Sequence, residues 1–249
     1  MTIAFAWDSA AGTHVGRVRQ INEDSFLDLP GIGLWAVADG MGGHDAGDVA
    51  SQTVIEELSR VPPPISREAL IGNIEQRVRA ANARLCRLAE DRGGGVVGST
   101  VAVLACCAGS ALCLWAGDSR VYRWRDGALR RLTEDHSQVQ EMVRLGLVSA
   151  DEVDSQPGGN IITRAVGASQ HLNLDRQWFD LAPGDIFLLC SDGLTAHLKD
   201  AEIAAVLTEI GSSQGPENCA PAVARLVDQT LERGAKDNVT VVIVQVRHA

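Results

Sequence analysis

The chain has 249 residues, of which 45% are hydrophobic and 22% are charged, and its formal net charge is -10. This length is enough for a single domain with a large core. The acidic balance and the lack of a basic run argue against a nucleic-acid surface, because phosphate backbones are bound by clustered Lys and Arg. Several carboxylates drawn into one site would instead need cations to neutralise them.

Neither a secretory leader nor a membrane span is expected. Residues 1–12 carry no Lys or Arg before their short apolar patch, which is unlike a signal peptide. The nearly uncharged run from Val101 to Ala116 is divided by Gly109-Ser110 and is shorter than the about 20 residues of a membrane helix, so it favours two buried strands. Six cysteines without a Cys-x-x-Cys pair predict free buried thiols in a reducing cytoplasm.

The first part of the chain is predicted to hold strands followed by two helices. Segments 2–7 and 13–18 mix β-branched, aromatic and polar residues and are separated by Ala10-Ala11-Gly12, which predicts an antiparallel pair of strands. The apolar run from Leu34 to Ala38 predicts a further strand. Apolar residues at helical spacing predict helices over 44–60 and 66–90, the second with Ser66 as its N-cap.

The second part repeats this order of strands followed by helices. The apolar runs predict four consecutive strands, then a short helix, two strands, two helices and a last strand. Their ranges are 98–108, 111–115, 120–124, 129–132, 137–145, 171–179, 185–190, 200–210, 216–233 and 239–246. This order favours one α+β domain with helices packed on the outside of antiparallel sheets.

Three aspartates stand at the ends of predicted strands. Asp39 and Asp192 each close an apolar run and precede a glycine, and Asp237 opens the last apolar run. A strand end holds its side chain firmly, and a glycine lets the next carbonyl approach whatever the carboxylate binds. Each Asp-Gly pair taken alone is more often a plain turn than a functional site. The recurrence of the pattern predicts a metal centre assembled by folding.

Eight short motifs follow one another along the chain. They are Arg19-x-x-Asn22-Glu23-Asp24, Asp39-Gly40-Met41-Gly42-Gly43-His44, Gly98-Ser99-Thr100, Gly117-Asp118-Ser119-Arg120, Leu132-Thr133-x-Asp135-His136-Ser137, Thr163-Arg164-Ala165-Val166-Gly167, Ser191-Asp192-Gly193 and Asp237-Asn238-Val239-Thr240. In this set and order the sequence resembles the metal-dependent serine/threonine protein phosphatases of type 2C, the PPM family, and especially their bacterial members. The resemblance implies one phosphatase domain over residues 1–249, folded as an αββα sandwich, with a flap at about 138–160 beside the active site.

The resemblance also implies a centre of two Mn²⁺ or Mg²⁺ ions. Asp39 would bridge the two ions, with the Gly40 carbonyl on one ion and Asp192 and Asp237 on the other. Glu23 would act mostly through a bound water. Such an all-oxygen set of ligands favours Mg²⁺ or Mn²⁺ over zinc.

Four further positions have implied roles that are less specific. Arg19 would hold the substrate phosphate, and a plain surface arginine is the alternative. Asp118 matches the ligand of a third, weaker metal, and a turn residue is the alternative. Many eukaryotic relatives place a histidine credited as general acid where this chain has Met41, which cannot donate a proton. His44 is the nearest side chain that could donate that proton. A metal-bound water is the alternative proton donor, and helping to start the next helix is the alternative role for His44.

The implied activity is hydrolysis of phosphoserine and phosphothreonine in proteins by direct attack of a metal-activated water. The implied setting is bacterial signalling in the cytoplasm, opposite a Hanks-type kinase, and neither nucleic acid nor a membrane is expected as a partner. A regulatory or binding module that has lost catalysis is one alternative, although all three strand-end aspartates are present. A hydrolase of small phosphorylated molecules is the other.

Overall fold

The computed structural model describes residues 5–42, 46–149, 161–212 and 218–248. Within these ranges the strands are β1 Phe5–His14, β2 Asp24–Leu29, β3 Leu34–Gly42, β4 Val97–Ser99, β5 Val101–Cys107, β6 Ser110–Ala116, β7 Arg120–Arg125, β8 Ala128–Arg131, β9 Asp175–Asp180, β10 Ile186–Cys190 and β11 Val239–His248. The helices are α1 Gly47–Leu58, α2 Arg67–Asp91, α3 Gln138–Arg144, α4 Asp192–Thr195, α5 Asp200–Ser212 and α6 Cys219–Glu232.

Two antiparallel sheets form the centre of the fold. The first has the order β1-β11-β10-β7-β8, and the second has the order β2-β3-β5-β6-β9 with β4 added beside β3. Because side chains alternate along a strand, β3 packs on both sides: Leu34 and Ala36 contact the α1 and α2 layer, whereas Trp35 and Val37 face the first sheet. A third core joins the first sheet to α4, α5 and α6. The architecture is therefore the expected αββα sandwich.

Helix α2 forms as its sequence pattern predicts. The Ser66 side chain accepts a hydrogen bond from the Ala69 amide at 3.1 Å, which confirms the N-cap. Leu70, Ile74 and Leu85 lie on one face and are fully buried against the second sheet. Burying each such side chain stabilises the fold by about 1.5–3 kcal/mol.

One prediction about the first strands is wrong, and one strand was missed. Residues 2–7 and 13–18 do not form a hairpin, since Phe5–His14 is one continuous strand that pairs over its whole length with β11. Gly12 does not turn the chain; it lies opposite Val241 inside the ladder. Strand β2 was not predicted, and it pairs along β3 from Asp24 opposite Asp39 to Leu29 opposite Leu34.

The predicted flap is described only in part. Helix α3 begins after Ser137, whose side chain caps it by accepting from the Gln140 amide at 3.2 Å. The base of the segment is closed by a bridge between Ser137 and Ile162. Residues 150–160 lie outside the described residues. Across the described ranges, no helix is both long and apolar enough to cross a membrane.

Candidate active site

A polar pocket of about 330 Å³ opens at one end of the layer between the two sheets. Asp39 continues the alternation of Trp35 and Val37 along β3, so its side chain faces the first sheet. The pocket is lined by every candidate residue that the structure describes: Arg19, Glu23, Asp39, Gly40, Asp118, Asp192 and Asp237. Folding thus brings together residues that are far apart in sequence. His44 lies outside the described residues.

Thr100 holds the backbone of Asp39 in place. It interrupts the second sheet between β4 and β5, and its amide donates to the Asp39 carbonyl at 2.8 Å. Its hydroxyl accepts from the Asp39 amide at 2.9 Å and also bonds to the Ser119 hydroxyl at 2.7 Å. Thr100 thus satisfies both backbone groups of Asp39, and it ties Asp39 to the turn that carries Asp118.

Two glycines allow the ligand-bearing chain segments to meet closely. A Cβ on Gly40 would lie 1.9 Å from the Gly47 carbonyl oxygen, and a Cβ on Gly193 would lie 1.8 Å from the Asn238 carbonyl oxygen. No real side chain fits at such distances. The two Asp-Gly motifs therefore have a steric reason beyond turn formation, because glycine is what lets Asp192 and Asp237 share one pocket.

Asn238 connects the segment that carries Glu23 to the start of β11. Its side-chain oxygen accepts from the Glu23 amide at 2.8 Å, and its side-chain nitrogen donates to the Val15 and Ile21 carbonyls at 2.9 and 3.0 Å. This connecting role of Asn238 does not follow from the sequence alone. The available signal was its place beside Asp237 in the last motif.

The carboxylates of the pocket repel one another. Burial raises the pKa of Asp39 well above its ordinary value, and the charges of Asp24 and Asp192 raise it further. Burial also raises the pKa of Asp118 to about 7, with Asp192 adding to the shift, and burial and Asp237 raise the pKa of Asp192. Without a balancing cation these groups tend to keep their protons. A divalent cation among them would favour the ionised forms.

The donor set fits Mn²⁺ or Mg²⁺. Carboxylates and the Gly40 carbonyl offer only oxygen ligands, which hard divalent cations prefer. In the described parts of the chain, no three His, Cys, Asp or Glu side chains are arranged closely enough to hold a metal ion.

Arg19 lies at the rim of the pocket. Its Nη2 donates to Asp237 Oδ2 at 2.8 Å, and the two side chains are 51% and 40% exposed. The hydrogen bond and charge of Asp237 raise the pKa of Arg19. An ion pair this exposed adds little to stability, so it serves chiefly to orient the guanidinium towards the pocket.

Asp135 and His136 lie behind the Asp118 turn. Asp135 accepts from the half-buried Arg120 guanidinium, with Nη2 to Oδ2 at 2.6 Å, and His136 Nδ1 accepts from the Gly117 amide at 3.1 Å. Through these contacts both residues support the turn from behind, and neither belongs to the pocket lining.

A family profile described as protein phosphatase 2C matches residues 11–232. Together with the αββα layers and the strand-end carboxylates, this match defines the class of the molecule. The chain belongs to the protein phosphatase 2C family.

The chain is similar to bacterial proteins of known sequence and structure. The structure of PppA, a key regulatory component of T6SS in Pseudomonas aeruginosa, is 42% identical with a TM-score of 0.87, and the match covers 98% of this chain and 99% of PppA. The serine/threonine protein phosphatase PstP of Mycobacterium tuberculosis is 36% identical over 240 residues, which cover 95% of this chain and 44% of PstP. The PstP catalytic domain in complex with two manganese ions is 33% identical with a TM-score of 0.85, covering 98% of this chain and all 100% of that domain.

Proposed function

We propose that this chain is a metal-dependent protein phosphatase that hydrolyses phosphoserine and phosphothreonine by direct attack of water. The observation that carries the proposal is the gathering of Asp39, Asp118, Asp192 and Asp237 around one pocket, where burial and mutual repulsion raise carboxyl pKa values and a bound cation would offset that repulsion. The phosphatase relatives, and the two manganese ions in the PstP domain, support the same activity.

The proposed residue roles follow from the pocket. Asp39 interacts electrostatically with Asp118, Asp192 and Asp237, so it is assigned to hold both cations. The Gly40 carbonyl would hold one cation, and Asp192 and Asp237 would hold the other. Glu23 acts through water, and Asp118 is assigned to a third, weaker site. Two bound divalent cations supply an activated water and offset charge on the phosphoryl oxygens.

Arg19 is assigned to the substrate phosphate. A guanidinium presents paired N–H donors that match two phosphate oxygens, and it stays charged at any working pH. Ile162 also lines the pocket, so the base of the flap borders the bound phosphoresidue. The leaving serine or threonine oxygen needs a proton that Met41 cannot give. His44 remains the side-chain candidate for that step.

Asp192→Asn tests the metal assignment. The substitution keeps the size of the side chain but removes one ligand charge, so Mn²⁺ binding and turnover of a phosphothreonine peptide should fall together while the fold persists. Asp228→Asn is the matched control, since Asp228 is exposed on α6. Calorimetric titration with Mn²⁺ and peptide turnover are the measurements, with p-nitrophenyl phosphate and small phosphometabolites as comparison substrates. Near wild-type turnover of Asp192→Asn at saturating Mn²⁺ would remove the two-metal assignment.

The biological setting is part of the proposal. We propose that residues 1–249 form one phosphatase domain whose flap spans about 138–160, and that it opposes a Hanks-type kinase in the same pathway. All six cysteines are free thiols in the structure, which supports a reducing compartment such as the cytoplasm.

A further inference from the structure

Asp24 is a buried carboxylate beside the pocket to which neither the motifs nor the proposed chemistry gives a role. Its side chain is only 6% exposed. One of its oxygens, Oδ2, accepts two hydroxyl hydrogen bonds, from Ser191 at 2.7 Å and from Thr240 at 2.7 Å. The Ser191 hydroxyl in turn accepts from the Thr240 amide at 3.0 Å. Asp24, Ser191 and Thr240 therefore form a closed group that joins β2, the end of β10 and β11.

The group connects the chain segments that carry the proposed metal ligands. Ser191 directly precedes Asp192, and Thr240 lies on β11 just after Asp237 and Asn238. Asp24 itself follows Glu23 and stands directly opposite Asp39 in the β2–β3 ladder. Residues directly opposite in an antiparallel pair have their side chains on the same face and close together. One carboxylate thus contacts or faces the segments that carry Asp39, Asp192 and Asp237.

Stability alone does not account for this carboxylate. Two acidic side chains directly opposite one another in a ladder destabilise a sheet. In addition, Asp24 Oδ1 is buried and has no hydrogen-bond partner within the described residues. Leaving a buried polar atom unpartnered destabilises the folded state. Such a cost is commonly found where a group serves the site rather than the core.

The donor and the acceptor can be assigned in each hydrogen bond that leads to Asp24. Because the Thr240 hydroxyl donates its proton to Asp24, it must accept from Thr13, whose hydroxyl lies 2.7 Å away. Thr13 in turn accepts from the Asn22 side chain at 2.8 Å. Asp24 is the acceptor at the end of this chain, so its removal would free the hydroxyls of both Ser191 and Thr240.

We propose that Asp24 is a positioning residue that holds the segments carrying Asp39, Asp192 and Asp237 at the spacing needed to bind divalent cations. It acts through the hydroxyls of Ser191 and Thr240 and does not itself ligate an ion. The proposal rests on the metal assignment of the proposed function. Groups that orient metal ligands in this way typically contribute 10- to 100-fold to metal affinity.

The test is Mn²⁺ binding to the metal-free protein, measured by calorimetry without substrate. Thr240→Val removes one hydroxyl at nearly constant volume, and Ser191→Ala removes the other. Each is expected to raise the Mn²⁺ dissociation constant about 10- to 100-fold. Thr240→Ser keeps a hydroxyl and should restore affinity. Thr230→Val is the matched control, because Thr230 is fully buried but its hydroxyl donates only to the Leu226 carbonyl of its own helix.

A double-mutant cycle assigns the effect to Asp24. Asp24→Ala should weaken Mn²⁺ binding by a similar factor, and adding Thr240→Val to it should cause little further loss, because the two changes break the same hydrogen bond. Thermal unfolding of the metal-free variants shows whether a loss of Mn²⁺ affinity is accompanied by a loss of stability. Wild-type Mn²⁺ affinity in both Thr240→Val and Ser191→Ala would overturn the proposal, and if Thr240→Val does not fold, Ser191→Ala alone decides. A wild-type protein that binds no Mn²⁺ would overturn the proposed function itself.

Discussion

Arg19 stands half exposed at the rim of the pocket with one ion-pair partner, Asp237. A residue that contacts phosphate in both the bound substrate and the transition state contributes mainly to binding. Arg19→Ala should therefore raise KM and weaken inhibition by inorganic phosphate, with a smaller change in kcat. Steady-state kinetics with a phosphothreonine peptide would measure both effects.

Arg17→Ala is the control for Arg19→Ala, because it removes the same charge two residues away, outside the pocket lining. If Arg19→Ala and the wild type have the same inhibition constant for phosphate, Arg19 does not bind phosphate and is a surface residue.

Single residues of the site differ in how well the sequence reveals them. Asp39 and Asp192 were predictable because each interrupts an apolar run with a charge and a glycine. Asn238 and Asp24 were not given roles, because a polar residue inside a polar motif looks like its neighbours. The position of Asp24 becomes informative only once β2 is recognised, since Asp24 then shares a face with Phe26, which packs between the sheets.

At the scale of elements, α4 and β11 meet at Gly193. A methyl group there would lie 1.8 Å from the Asn238 carbonyl oxygen, so Gly193→Ala must push α4 away from the start of β11. Overpacking of this kind costs about 1–3 kcal/mol. We expect lower thermal stability and weaker Mn²⁺ binding, because Asp192 moves with α4 away from Asp237.

Gly72 offers the opposite case within the same chain. It lies inside α2, exposed, with nothing within 4 Å of an added Cβ. Gly72→Ala should stabilise the protein by about 0.5–1 kcal/mol through helix propensity and leave activity unchanged. Chemical denaturation of the two variants would measure the contrast. Equal effects of the two substitutions on stability would contradict the close approach of α4 and β11.

Elements with local determinants were predicted well, and those with distant partners were not. Helix α2 follows from its apolar spacing and its Ser66 cap, both of which are local. Strand β1 was divided because Ala10-Ala11-Gly12 reads locally as a turn, whereas its partner β11 lies at the other end of the sequence. Pairing energy from a distant strand outweighed the local turn preference.

For the whole molecule, the crowded carboxylates make stability depend on pH in an unusual direction. Asp24, Asp39, Asp118 and Asp192 have pKa values raised in the folded state, to about 7 for Asp24 and Asp118. Between about pH 4 and this value, the folded metal-free protein holds protons that the unfolded chain has lost. Metal-free stability should therefore fall as pH rises from about 4 to 7. His136, whose pKa is lowered mainly by burial, opposes this trend. The unfolded chain binds one proton at this residue that the folded protein has already lost.

Divalent cations should reverse the trend, because they bind the ionised carboxylates and stabilise only the folded state. Thermal unfolding of the chelated protein and of the Mn²⁺-loaded protein, each at several pH values across this interval, would measure the effect. The increase in Tm on adding Mn²⁺ should be larger at the high end of the interval than at the low end. A chelated protein that becomes more stable over the same rise in pH would contradict the clustering of these carboxylates.

The ladder between β1 and β11 has a consequence for the order in which the chain can mature during its synthesis. His14 pairs with Val239 and Phe5 pairs with His248, and β11 is also the strand that connects β1 to β10. A nascent chain that has not yet produced β11 therefore has an incomplete first sheet and an unpaired N-terminal strand. Contacts between such distant residues form slowly. Asp237 and Asn238 directly precede β11. The phosphatase pocket is therefore complete only after the ribosome has synthesised β11.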